Sequence, residues 1–157
     1  MTDSHLRQQL VNALTVRQAH QSFDDAIDGF PAAHFNTRPP SLSYSFWHLL
    51  EHLRIAQADI LDYIQNPDYA HRKFPEDYWI PSDAQADEAA WQHTIARFKA
   101  DLAALVAIAQ DPERDLTAQI SHAEPGHSIL REILIVSAHN AYHIGEFGIL
   151  RATLGLW

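Results

Sequence analysis

The stretch Ile129-Leu-Arg-Glu-Ile-Leu-Ile-Val-Ser-Ala-His139-Asn-Ala-Tyr-His143-Ile-Gly-Glu146-Phe-Gly-Ile-Leu150 decides how this chain is read. It has no proline and no strand-like alternation, and its length suits a helix. Ser128 can start that helix and Gly155 can end it. It is apolar almost all round, which predicts deep burial. Two histidines interrupt it four residues apart. On a helix that spacing puts both imidazoles on one face, with Cβ atoms about 5–6 Å apart. Glu132, Ile135, Glu146 and Leu150 share the face. Imidazoles buried there need hydrogen bonds, a ligand or a metal, because an unpartnered buried polar group is costly.

Working outward, three more helices are predicted. The first runs from about Ser4 to Asp28 on Leu6, Leu10, Ala13, Val16, Phe23 and Ile27, and stops at Gly29 and Pro31. The second starts at Ser43 or Ser45 and ends at Asn66-Pro67, with Phe46, Leu49, Leu53, Ala56, Ile60 and Ile64 as its buried stripe. The third runs from about Asp87 to Ala109. Its residues Trp91, Ile95, Phe98, Leu102, Leu105 and Ala109 step by fours and threes, as in a bundle seam. Between the second and third helices, residues 67–84 form a long loop carrying Tyr69, Phe74, Tyr78 and Trp79, whose rings are expected across one end of the helices. Residues 111–127 are polar, with a turn at Pro125-Gly126. The whole reads as an all-α, four-helix bundle in a single domain spanning residues 1–157.

Composition narrows the function. The 157 residues suit one domain. With no cysteine, disulfides, thiolate zinc sites and a cysteine nucleophile are excluded. The first ten residues do not read as a secretory signal, and no segment is apolar enough to span a bilayer, so a cytoplasmic protein without a membrane partner is expected. A formal net charge of -9 supplies no basic face for nucleic acid. Histidine stands out, with 11 copies. It suits proton exchange near neutrality and metal ligation.

The second helix carries another spaced pair, His48 and His52. A chain this rich in histidine produces such pairs by chance, so the spacing leaves two readings open. One is core histidines bonded to Glu132, Glu146 or backbone; the other is a metal site. Several metal architectures do not fit. His139-Asn-Ala-Tyr-His143 lacks the glutamate that follows the first histidine of a zinc protease. A di-iron bundle needs two Glu-x-x-His units, and the one such spacing, Glu124 to His127, falls in a turn. No haem-attachment motif is present. An all-histidine site remains, an arrangement suited to zinc or nickel that also accommodates iron or manganese.

Ser45-Phe-Trp-His-Leu-Leu-Glu-His52-Leu-Arg-Ile-Ala-Gln-Ala-Asp-Ile-Leu, together with Leu130 to Glu146, resembles the DinB/YfiT-like superfamily. Phe74-Pro-Glu-Asp-Tyr-Trp79 and Leu154-Gly-Leu-Trp157 resemble one branch of it. The resemblance implies a four-helix bundle, often dimeric, with a divalent metal on His52, His139 and His143. It also implies a metal-dependent enzyme, either a small-thiol S-transferase acting on a small electrophile or a hydrolase. The alternatives are a non-catalytic metal-binding stress-response module and a binder of apolar ligands lidded by loop 67–84. His48 is expected to be a helix-face residue. Glu132, Glu146 and Glu51 are candidates to orient imidazoles, with Glu51 better read as a structural charge. Tyr44, Trp47 and Tyr142 are candidate pocket or core aromatics. No residue stands out as a nucleophile.

Overall fold

A computed structural model describes residues 3–157. These form five α-helices and no strands: α1 (Asp3–Thr15), α2 (Phe23–Ile27), α3 (Phe46–Gln65), α4 (Glu88–Gln110) and α5 (Ile129–Thr153). Helix α3 packs against α4 and α5, and α1 packs against the same two from the other side. Each of the three longest helices starts on a residue whose side chain accepts from the first turn: Ser45 from His48 N, Asp87 from Ala90 N, and Ser128 from Arg131 N. Such caps satisfy amides that the helix leaves unbonded.

The single first helix expected over Ser4–Asp28 is instead two. Helix α1 ends at Thr15, and α2 restarts at Ser22 on a capping box in which Ser22 and Asp25 satisfy each other's backbone amides. The apolar rhythm that suggested continuity has no large apolar residue among the six positions between Val16 and Phe23, and Val16 is exposed. At the other end of α1, the buried Arg7 guanidinium donates to the carbonyls of Ala109, Asp111 and Arg114 at 3.1, 2.7 and 2.6 Å. A cation there satisfies orphan carbonyls at the end of α4.

The core has two parts. Phe23, Phe30, Phe35, Phe46, Trp91, Phe98 and Phe147 form an aromatic cluster with leucines of α3. Leu10, Ile64, Leu105, Ile108, Ile133 and Val136 belong to an aliphatic one. The fully buried Gln57 donates to the Phe98 carbonyl (2.7 Å) and accepts from Asn140 (2.9 Å), tying α3 to α4 and α5. Helix α5 is less buried than its composition predicts. Leu134, Ile135, Tyr142 and Ile149 lie on an outward side and are exposed. No described helix is long and apolar enough to cross a membrane.

Residues 66–87 connect α3 to α4 with a single 3-10 turn, Glu76–Tyr78. This connection is anchored along one side of α3. Pro81 O accepts from His48, Tyr78 O accepts from His52, and the Tyr69 and Tyr78 hydroxyls donate to Asp59 at 2.9 and 2.6 Å. The rings expected across one end of the helices thus reach α3, except Phe74, which is exposed.

Candidate metal centre

His52 comes from the second turn of α3, and His139 and His143 from successive turns of α5. The three rings converge. His52 Nε2 lies 3.2 Å from His143 Nε2 and 3.2 Å from His139 Nε2, and all three ligand atoms fall within 4.8 Å of one another. His52 is buried and the other two are half-buried.

Hydrogen bonding on the far side of each ring decides what the Nε2 atoms present. A backbone carbonyl only accepts, so His52 Nδ1, 2.9 Å from Tyr78 O, carries its proton and leaves Nε2 with a lone pair. His143 Nδ1 lies 2.7 Å from Glu146 Oε2, which holds the same tautomer. With both rings neutral, two lone pairs face each other at 3.2 Å, a repulsive arrangement that a shared cation relieves. Bonds of about 2.05 Å at a tetrahedral angle put ligand nitrogens about 3.3 Å apart, so the observed spacing fits a zinc-sized ion. His139 Nδ1 is buried without a partner.

The site favours neutral rings at His139 and His52, the form that binds metal. Burial pushes the His139 pKa down to about 4, and the His143 and His52 rings add to the effect. The nearby Asn140 amide works weakly the other way, although no hydrogen bond joins it to His139. Burial lowers His52 too, against the opposing pull of the Tyr78 carbonyl. For Glu146, burial acts to raise the pKa, but hydrogen bonds from His143 and Tyr44 outweigh it and the carboxyl stays below its ordinary value. Tyr44 donates to Glu146 Oε1 and is itself pushed up by burial and by that carboxylate. The Trp79 ring stacks on His52, with centroids 4.2 Å apart and planes 2° from parallel.

The other candidates separate clearly. Of the three carboxylates weighed, Glu146 is the one bonded to a cluster histidine. Glu51 pairs with Arg54 (2.6 Å) and accepts from Thr94 (2.5 Å). Glu132 pairs with Arg131 (2.6 Å), away from the three rings. His48 is no open helix-face residue: it is buried, its Nε2 donates to Pro81 O at 3.1 Å, and its Nδ1 faces Ser45 Oγ at 2.6 Å. Both nitrogens are used, so it is not a fourth ligand here. Trp47 reaches Thr94 instead of the site (3.4 Å), while Tyr142 is exposed with its ring edge-on to His143. Sequence reasoning missed Tyr78 and Trp79 as the support of His52. The aromatic richness of loop 67–84 was the available signal, but it could not show which ring meets which helix.

These helices and their convergent imidazoles define an all-helical protein with a three-histidine cluster able to hold one metal ion. The chain belongs to the DinB superfamily: the model of that family matches residues 15–147, a span that includes all three histidines. No curated protein and no solved structure matches it.

Proposed function

We propose that this protein is a divalent-metal protein of the DinB/YfiT-like four-helix-bundle type, folded as one domain, with the ion on His52, His139 and His143. The observation that carries this reading is the convergence of three Nε2 atoms, with Tyr78 O and Glu146 bonded to the far nitrogens of two of the rings. Zinc or nickel suits three neutral imidazoles best, and iron or manganese also fits such donors.

We infer further that the site is catalytic and acts in the cytoplasm, as a small-thiol S-transferase with a small electrophilic partner or as a hydrolase. Such an ion would supply Lewis acidity and would acidify a bound water or thiol. The chain's own groups then have separate tasks. Tyr78 O and Glu146 orient two of the imidazoles. Trp79 shields one face of His52. Glu146 accepts from both Tyr44 and His143 and so links the two side chains. His48 is spent on Pro81, which speaks for an open coordination position and against a closed four-histidine structural site. The alternative, a non-catalytic stress-response module, keeps the metal and loses the turnover. Homodimerisation is proposed through the exposed Leu134, Ile135, Tyr142 and Ile149 of α5.

Elemental analysis of the purified protein beside a His143→Ala variant tests the metal. About one equivalent in the first and little in the second is expected, and equal negligible metal in both contradicts the reading. Assays of the loaded protein with several small thiols and a chlorinated aromatic acceptor, and with esters, then test catalysis. Turnover supports the enzyme, and none with any substrate class favours the module.

A further inference from the structure

Among the described residues, three buried side-chain polar atoms have no hydrogen-bond partner. Two of them, His139 Nδ1 and Asn140 Oδ1, belong to neighbouring residues of α5. Each has less than 1 Å² of accessible surface, so solvent reaches neither. A buried donor or acceptor left unbonded is costly, and here the cost falls twice in one place.

A chain of hydrogen bonds fixes what each atom offers. It starts in the core at the Phe98 carbonyl, which can only accept. The fully buried Gln57 therefore gives it Nε2 (2.7 Å) and turns Oε1 toward Asn140. Asn140 must meet that oxygen with Nδ2 (2.9 Å), which leaves Oδ1 as an acceptor. His139 Nδ1 is a donor whenever Nε2 keeps its lone pair for the cluster. The two orphaned atoms are thus complementary. Side chains one residue apart diverge on a helix, yet the Asn140 amide lies close enough to act on the His139 ring.

The other two rings show what is missing. His52 Nδ1 donates to Tyr78 O and His143 Nδ1 to Glu146, while His139 Nδ1 has no bond closed in this structure.

We propose that Asn140 is the positioning residue of the third imidazole: its Oδ1 accepts from His139 Nδ1 when a metal draws the three Nε2 atoms together, and Gln57 holds it in the orientation to do so. The inference rests on the metal reading of the histidine cluster and deepens it. The direction of one core carbonyl, Phe98 O, then passes through Gln57 and Asn140 to the tautomer of a ligand.

The histidine ring protons of the isotope-labelled, zinc-loaded, full-length protein, read by NMR, test this beside competition for zinc with a chelator. The unaltered protein should show its His139 Nδ1 proton shifted downfield by hydrogen bonding, as for His52 and His143. Asn140→Leu, close to isosteric, should move the His139 proton alone upfield and weaken zinc binding about 10- to 100-fold. Asn140→Asp keeps an acceptor for His139 and loses the donor to Gln57. It should leave that proton downfield and zinc binding at least as tight, while its urea midpoint drops. A His139 Nδ1 proton without the downfield shift in the unaltered zinc-loaded protein overturns the inference before any variant is made. So does an upfield move of all three ring protons together in Asn140→Leu, unchanged zinc affinity in that variant, or an equal loss of affinity in Asn140→Asp. If the unaltered protein binds no zinc, the metal reading falls and this inference falls with it; normal zinc binding with a His139 proton indifferent to Asn140→Leu removes this inference alone.

Discussion

Two polar clusters lie along α3, built from similar residue types, and only one is poised for a metal. At the His52 level, three imidazoles turn their Nε2 atoms toward one another. Further along, Asp59, Tyr63, His127 and Glu132 gather with comparable burial. There the polar ends are spent on protein partners. Asp59 accepts from Tyr69, Tyr78 and Arg72; Tyr63 Oη meets His127 Nδ1 at 2.8 Å and accepts from Glu124 N at 3.0 Å; Glu132 pairs with Arg131. Histidine, carboxylate and tyrosine in proximity therefore do not make a metal site. What separates the two clusters is whether lone pairs remain once internal hydrogen bonds are made.

That contrast can be broken most forcefully by deleting a histidine from each cluster. His52→Ala should reduce bound metal from about one equivalent to little or none, while His127→Ala should leave metal content unchanged; elemental analysis after dialysis reads both. Next in size is Glu146→Gln, which weakens the hold on His143 Nδ1. Metal affinity should fall about 10- to 100-fold, measured by competition with a chelator. The two clusters share a link, because Asp59 holds Tyr78 by its hydroxyl and Tyr78 O holds His52. Asp59→Ala should thus cost about 1–3 kcal/mol of stability in urea unfolding, from the released tyrosines and Arg72. It should also weaken metal binding, by less than Glu146→Gln does. If stability falls and metal affinity does not, the loop positions His52 by other contacts.

The last expected effect is on pH dependence. The native pKa of His139 is about 4, against an ordinary 6.5. Between those values the unfolded chain takes up a proton that the native state does not, so protonation favours unfolding. The metal-free protein should have its full His139 contribution above pH 6.5 and lose it as pH falls toward 4 and below. The urea midpoint should drop over that window, and less steeply in His139→Leu.

Much of this was legible in the chain. Helices α3, α4 and α5 follow from their apolar spacing and from Ser45, Asp87 and Ser128 as caps. The three histidines were selected by likeness of two segments to one family, since spacing alone left core and metal readings open. What the sequence hid was long-range. The break after Thr15 is set by a capping box at Ser22 that a helical rhythm reads through. His48 and His52 have the same spacing as a ligand pair, and only the docking of Pro81 and Tyr78, 33 and 26 residues away, separates a loop anchor from a ligand. The exposed side of α5 was unreadable for a similar reason: apolar residues all round a helix do not say which neighbours are present to cover them.

The central claim is that His52, His139 and His143, and no fourth histidine, hold one metal ion with a position left open. X-ray absorption at the edge of the bound metal, before and after addition of a small thiol, tests it directly. Three imidazole nitrogens with exchangeable oxygen, replaced in part by sulfur when thiol is added, is the predicted result. A fourth imidazole in the shell, or a shell unchanged by His139→Ala, would contradict it.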